Sequence, residues 1–237
     1  TALPASVPSG EVLRLAAFAV TNYEKTQLEG IFNPEEPLLF VDFETNRSGD
    51  FYVLGIQYGE HFEPVVLTPE LDGFAEHHGL AVQTPKEACE KLISICEDEC
   101  RTMVAYGELE RALVCSVLGI DEDNRGFKYL NLHRAAKKWK SKFHKASFDA
   151  LPPLRRNASK FLMRGQVNSL ASLTRLCGLE APKDYAPGRT TSRFNSLIES
   201  LKKKNQDYSR LGPSTKAKGT KALKHNKFDV LALEPLL

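Results

Sequence analysis

The chain has 237 residues, of which 42% are hydrophobic and 26% are charged, enough for one large globular domain or two small ones. No apolar run approaches the ~18 residues of a membrane-spanning helix, so we expect no membrane partner. The five cysteines, an odd number without closely spaced pairs, argue against a disulfide framework and predict a reducing intracellular compartment, cytoplasmic or nucleoid-associated.

The formal charge is distributed unevenly along the chain. Residues 1–133 carry 9 Lys+Arg against 23 Asp+Glu, whereas residues 134–237 carry 23 against 7. An acidic half followed by a basic half indicates a polyanion that the second half holds and the first half processes. The alternative is that the two halves neutralise each other across the fold.

The first half predicts an α/β protein. Strands are predicted at residues 38–44, 51–58, 62–67, 102–105 and 127–132. Helices are predicted at residues 11–30, 84–100 and 108–118. Short turns join the first three strands, as in an antiparallel meander, and helices separate the last two. This order predicts a mixed five-stranded sheet flanked by helices, with residues 1–37 as an N-terminal helical extension.

The second half is predicted to be mostly helix and loop. Helices are predicted at residues 133–145, 168–177, 192–204 and 221–236, with a Pro/Gly loop at 181–188 and a flexible basic loop at 211–219. Trp139 and Phe143 lie among lysines at a spacing of four. They are either core anchors of a basic helix or rings that stack on nucleobases.

Two carboxylates stand one residue apart at the end of the first predicted strand. Alternate side chains of a strand point to the same face, so Asp42 and Glu44 lie side by side. Their mutual repulsion and desolvation are tolerable if a cation lies between them. Oxygen ligands of this kind predict a divalent metal.

Further candidate residues come from two helices. Glu108 and Glu110 open the helix after the fourth strand, and only one of them can point back to the strand end; Glu110 precedes the inward apolar stripe. His225 and Asp229 are four residues apart on the last helix and share one face. Taken alone, His225 is better explained as a partly exposed helix residue among lysines.

Three segments, taken in chain order, resemble the motifs of the DEDD superfamily of 3′–5′ exonucleases. They are VDFET at residues 41–45, YGELE at 106–110 and HNKFDVLAL at 225–233. NSLASLTRLCGL at 168–179 also resembles a helix of these enzymes. Two positions depart from the usual pattern. The second acid is Glu110 instead of Asp. His225 lies four residues before Asp229, where the tyrosine-type members have Tyr, whereas the histidine-type members place their His one residue further away. The nearest match is the predicted exonuclease-like ribonuclease H branch.

The resemblance implies a ribonuclease H-like domain over residues 38–237, with three antiparallel and two parallel strands and basic helical insertions at about 133–165 and 181–220. It implies two Mg²⁺ or Mn²⁺ ions. Asp42, Glu44 and Asp229 would bind one ion, Asp42 and Glu110 the second, and His225 would act on the attacking water. The expected activity is 3′–5′ hydrolysis of single-stranded DNA or RNA.

Basic residues of the second half would hold the strand. The candidates are Lys137, Lys138, Lys140, Lys142, Arg155, Arg156, Arg189, Arg193, Lys202, Lys203, Lys204, Lys216 and Lys218. Two alternatives remain open: a nuclease-fold module that binds nucleic acid with weak or no catalysis, and a scaffold whose basic surface contacts another protein.

Overall fold

The structure is a computed structural model that describes residues 36–46, 48–121, 126–151, 168–182, 184–185 and 188–237. The predicted helix at residues 11–30 lies outside the described residues, as do residues 152–167 of the first predicted insertion. Within the described ranges, no helix combines the length and the apolar character needed to cross a membrane.

A mixed six-stranded sheet forms the centre of the described fold. Its strands are β1 Leu38–Thr45, β2 Phe51–Tyr58, β3 His61–Val66, β4 Ala81–Val82, β5 Thr102–Ala105 and β6 Tyr129–Asn131. They lie in the order β4-β3-β2-β1-β5-β6. Strands β1, β2 and β3 are antiparallel neighbours, while β5 runs parallel to β1 and to β6.

The mixed sheet flanked by helices is confirmed, but the prediction of five strands is wrong. The missed strand, β4, pairs in parallel with β3 at the edge of the sheet. It has two residues, both exposed, and therefore shows no alternation of apolar and polar side chains from which a strand could be predicted.

The described helices surround this sheet. They are α1 Asp72–His78, α2 Pro85–Asp98, α3 Leu109–Leu118, α4 Leu132–Phe143, α5 Lys145–Asp149, α6 Leu170–Leu173, α7 Thr190–Lys202 and α8 Pro213–Leu231. Short 3-10 turns occur at Pro69–Leu71, Thr174–Cys177, Tyr208–Arg210 and Glu234–Leu236. Gly178, with φ +73°, ends the turn after α6 as the sequence predicts.

The flexible loop predicted at residues 211–219 is wrong, because α8 begins at Pro213. Pro at the first position favours a helix start, but Gly219 suggested a loop. In the structure Gly219 allows a close approach between helices: a Cβ there would lie 2.7 Å from Cε2 of Phe74 and 3.1 Å from Cδ2 of Leu197. The glycine serves tertiary packing and does not end the helix.

The alternation of side chains along β1 positions the acidic pair. Leu39, Val41 and Phe43 are buried on the face covered by α2 and α3. Phe40 faces the other way and packs with Val230 of α8. Asp42 and Glu44 continue the row of Phe40, so both carboxylates emerge on the face where α8 crosses the sheet.

Trp139 belongs to the core on the α8 side of the sheet. Its side chain is 2% exposed, and its ring lies 4.5 Å from that of His144. Phe143 is partly buried against the same core. Of the two interpretations of this pair, Trp139 is therefore a core anchor, and its proposed stacking on nucleobases is wrong.

Candidate metal centre

Strand β1 supplies two carboxylates, and β2 leaves space beside the first. Asp42 and Glu44 are both partly buried. Asp42 lies opposite Gly55 in the antiparallel register, and Glu44 lies opposite Val53. Because directly opposite residues share a face of the sheet, the missing side chain of Gly55 opens room next to Asp42.

Helix α8 brings His225 and Asp229 to the same place. The two residues are four apart, and His225 Nε2 lies 3.1 Å from Asp229 Oδ2. One ligand atom each of Glu44, His225 and Asp229 lie within 4.8 Å of one another. This is the spacing of groups that share a single metal ion. Asp42 and Glu110 are not members of this compact group.

Glu110 is the buried member of the acidic pair at the start of α3. Its side chain is 7% exposed, and the backbone N–H groups of Glu110 and Gly107 donate to its carboxylate. Its second oxygen, Oε2, is buried without a hydrogen-bond partner. Glu108 is exposed and lies 3.5 Å from the guanidinium of Arg134. Glu110 is thus the residue oriented to the interior.

The four carboxylates affect each other electrostatically. Burial raises the pKa of Asp42 well above its usual range, and the charges of Glu44, Asp229 and Glu110 raise it further. Burial and then the charge of Asp229 also raise the pKa of Glu110. Desolvation and like charges both disfavour the ionised form of a carboxyl group, so burial and the neighbouring acids together make ionisation of Asp42 and Glu110 harder.

The pKa of Glu44 is also raised, although two neighbouring groups act to lower it. Burial and the charge of Asp229 raise its pKa to about 8, although the Thr190 hydroxyl and the Arg193 guanidinium act to lower it. The protein's own donors therefore compensate the buried charge only in part. A divalent cation bound among these oxygens would compensate the remainder.

Asn226 belongs to the site, although no prediction from the sequence included it. Its side chain is fully buried, and its amide Nδ2 donates to Asp42 Oδ2 at 2.8 Å and to the Asp42 carbonyl at 3.1 Å. A Cβ on Gly55 would lie 2.4 Å from Asn226 Oδ1. The amide thus occupies the space that Gly55 leaves and fixes the Asp42 carboxylate.

Tyr185 is the second missed residue, and it lies in the predicted Pro/Gly loop. Its ring stacks on His225 with centroids 4.2 Å apart and planes 5° apart. Its hydroxyl donates to Asp229 Oδ1 at 2.8 Å. Burial and the charge of Asp229 raise the pKa of Tyr185, so the hydroxyl remains a donor. A tyrosine in a loop gave no signal that it would reach this site.

No protein-family model, curated protein or solved structure matches the chain. The functional argument therefore depends on the chemistry of the site. The chemistry of the donor set fits a hard divalent cation: carboxylate oxygens from Asp42, Glu44, Glu110 and Asp229 would be its main ligands, and the buried Glu110 Oε2 has no hydrogen-bond partner in the protein.

Proposed function

We propose that this protein is a metal-dependent nuclease that hydrolyses phosphodiester bonds of single-stranded DNA or RNA from the 3′ end. The observation that supports it most is the convergence of four carboxylates and one histidine from β1, α3 and α8. Burial, and after it the negative charge of neighbouring carboxylates, raises the pKa values of Asp42, Glu44 and Glu110. The resemblance of the three motifs to DEDD exonucleases adds to this argument.

Each residue has a role in the proposed reaction. Glu44 and Asp229, with Asp42, would hold one Mg²⁺ or Mn²⁺, and Asp42 with Glu110 would hold a second. When bound, such a pair of ions supplies an activated water and stabilises the leaving 3′ oxygen. Asn226 keeps the Asp42 carboxylate oriented through its two hydrogen bonds.

In the proposed reaction, His225 would accept a proton from the attacking water. Its Nε2 contact with Asp229 Oδ2 fits a proton on Nε2, which leaves Nδ1 as a buried acceptor without a protein partner. The Tyr185 ring covers one face of the imidazole and fixes its plane. A base held in one orientation is a condition for general base catalysis.

The test uses matched DNA and RNA oligonucleotides labelled at either end, incubated with Mg²⁺, Mn²⁺ or a chelator. We expect metal-dependent shortening from the 3′ end, which a 5′ label shows as a ladder. Asp42→Asn should abolish it, while the control Asp72→Asn, an exposed acid on α1, should not. Full activity of Asp42→Asn, or equal activity in chelator, would refute the proposal.

One observation favours the alternative of a binding module with weak or no catalysis. Both oxygens of Asp229 already have protein partners, Tyr185 at Oδ1 and His225 at Oδ2. These contacts compete with a metal for the same lone pairs. The alternative predicts that the oligonucleotides bind in a salt-dependent manner but remain intact with every metal.

A further inference from the structure

An exposed leucine lies next to the candidate metal centre. Leu109 is 54% exposed and precedes Glu110 in the first turn of α3. Among the described residues, the only other exposed large hydrophobic side chain is that of Val82 on the edge strand β4, which is 47% exposed. A single exposed apolar residue needs no explanation, so the neighbours of Leu109 decide its meaning.

The first turn of α4 is tied to the same place. Glu108, the residue before Leu109, accepts a hydrogen bond from Asn131 Nδ2 at 2.8 Å and lies 3.5 Å from an Arg134 nitrogen. The His133 backbone N–H donates to the Tyr106 carbonyl at 3.1 Å. The beginnings of α3 and α4 are therefore held side by side at the carboxyl ends of β5 and β6.

An aromatic pair leads from the carboxylates to the surface. The rings of Tyr106 and His133 lie 5.1 Å apart. Burial, and then the charge of the nearby Asp229, raise the pKa of Tyr106. Burial and the charge of Lys137 lower the pKa of His133. His133 is thus a neutral, partly exposed ring between the metal centre and a basic helix surface.

The exposed surface of helix α4 carries positive charge. Arg134, Lys137 and Lys138 are exposed and lie at helical spacing. Arg134 is paired with Glu108, and four other candidate phosphate contacts donate hydrogen bonds within the protein. Lys140 donates to Asn168, Lys216 to the Ser209 carbonyl, Lys218 to Ser196 and Arg193 to the Asp184 carbonyl.

We propose that Leu109, His133, Arg134, Lys137 and Lys138 form one substrate surface, the α3/α4 rim, which binds single-stranded nucleic acid beside the carboxylates. The bases lie against Leu109 and His133, and the basic side chains contact phosphates. An apolar and an aromatic group among cations is the pattern of a single-strand binding surface. A duplex would keep its base faces stacked and out of reach. The inference rests on the proposed function and names which residues hold its substrate.

The test measures binding apart from hydrolysis. Fluorescence anisotropy with 5′-labelled DNA and RNA single strands in chelator compares Leu109→Ser with Val82→Ser, and a Lys137→Ala/Lys138→Ala double variant with Lys86→Ala on α2. We expect Leu109→Ser and His133→Ala to weaken binding about five-fold or more, as for loss of a base contact. The double variant should lower the slope of log affinity against log salt by about 1.4.

The two proposals fail in different ways. If the rim variants bind like Val82→Ser and Lys86→Ala while wild-type hydrolysis persists, the rim is refuted and the nuclease proposal stands. If the rim variants lose binding but no metal supports hydrolysis, the rim stands and the nuclease proposal fails. If polyglutamate displaces the oligonucleotide at equal charge concentration, the surface binds acidic peptides, and the rim proposal is refuted.

Discussion

Replacing Gly55 by alanine tests how α8 is positioned over the acidic pair. Gly55 lies opposite Asp42 on β2. A Cβ at this position would lie 2.4 Å from Asn226 Oδ1 and 2.7 Å from Val230 Cγ2. Both of these atoms belong to α8. The added methyl group must therefore push the helix away from the sheet, or turn the Asn226 amide away from Asp42.

The expected loss of stability follows from these contacts. Overpacking a close-packed interior costs about 1–3 kcal/mol, and loss of one hydrogen bond between Asn226 and Asp42 adds about 1 kcal/mol. The sum is about 2–4 kcal/mol. For a chain of this length, each kcal/mol lowers Tm by about 2–4 °C, so Gly55→Ala should lower Tm by about 4–16 °C.

Thermal unfolding followed by circular dichroism measures this shift. Gly126→Ala is the matched control, because no atom lies within 4 Å of its added Cβ and Tm should change little. Adding Asn226→Ala to Gly55→Ala removes one clashing atom, so the double variant should lose less stability than the sum of the single variants. A Tm of Gly55→Ala equal to wild type would refute the packing of Asn226 against Gly55.

Three other predictions follow. Mg²⁺ or Mn²⁺ should raise Tm, because either ion compensates the buried carboxylates; an equal rise in Asp42→Asn would contradict this site. Without metal, stability should fall as pH rises from about 4.5 to about 8, because the fold favours protonated Glu44 and loses that advantage as the carboxyl ionises. The fall should be at most about 1.4 kcal/mol per pH unit for one group, and unfolding at pH 5, 6.5 and 8 measures it. Tyr185→Phe should lower the free energy of unfolding by about 1 kcal/mol, and Tyr185→Ala should lower it by about 3–5 kcal/mol. Chemical denaturation measures both losses, and equal losses would mean that the ring stack on His225 contributes nothing.

Local sequence signals predicted the parts of the fold that depend on neighbouring residues. Thr84 followed three residues later by Glu87 predicts a capping box at the start of α2. The structure contains both of its hydrogen bonds: the Thr84 N–H donates to Glu87 Oε2 at 2.8 Å, and the Glu87 N–H donates to Thr84 Oγ1 at 3.2 Å. The alternation in β1 placed Asp42 and Glu44 on one face. Both signals depend on residues within a few positions of each other, so they can be recognised without knowledge of tertiary contacts.

Tertiary contacts decided the features that the sequence could not predict. Gly219 suggested a loop, but its place in α8 depends on the distant Phe74. Tyr185 lies within the predicted Pro/Gly loop, which has no periodicity, and its contact with His225 is a tertiary contact between residues 40 positions apart in the sequence. Asn226 is adjacent to His225 in sequence, yet its role depends on Gly55 of β2, which is far away along the chain.

The distribution of charge around α8 implies an order of binding. One side of the helix contributes Asp229 to the acidic cluster, while Lys224 and Lys227 are exposed. At close range, those carboxyl groups of the cluster that are ionised would repel a phosphodiester more strongly than screened surface lysines attract it. In the proposed nuclease, the basic surfaces would therefore concentrate a strand near the site, and the scissile phosphate would approach the carboxylates only after a cation has compensated them. Metal binding should precede productive substrate binding.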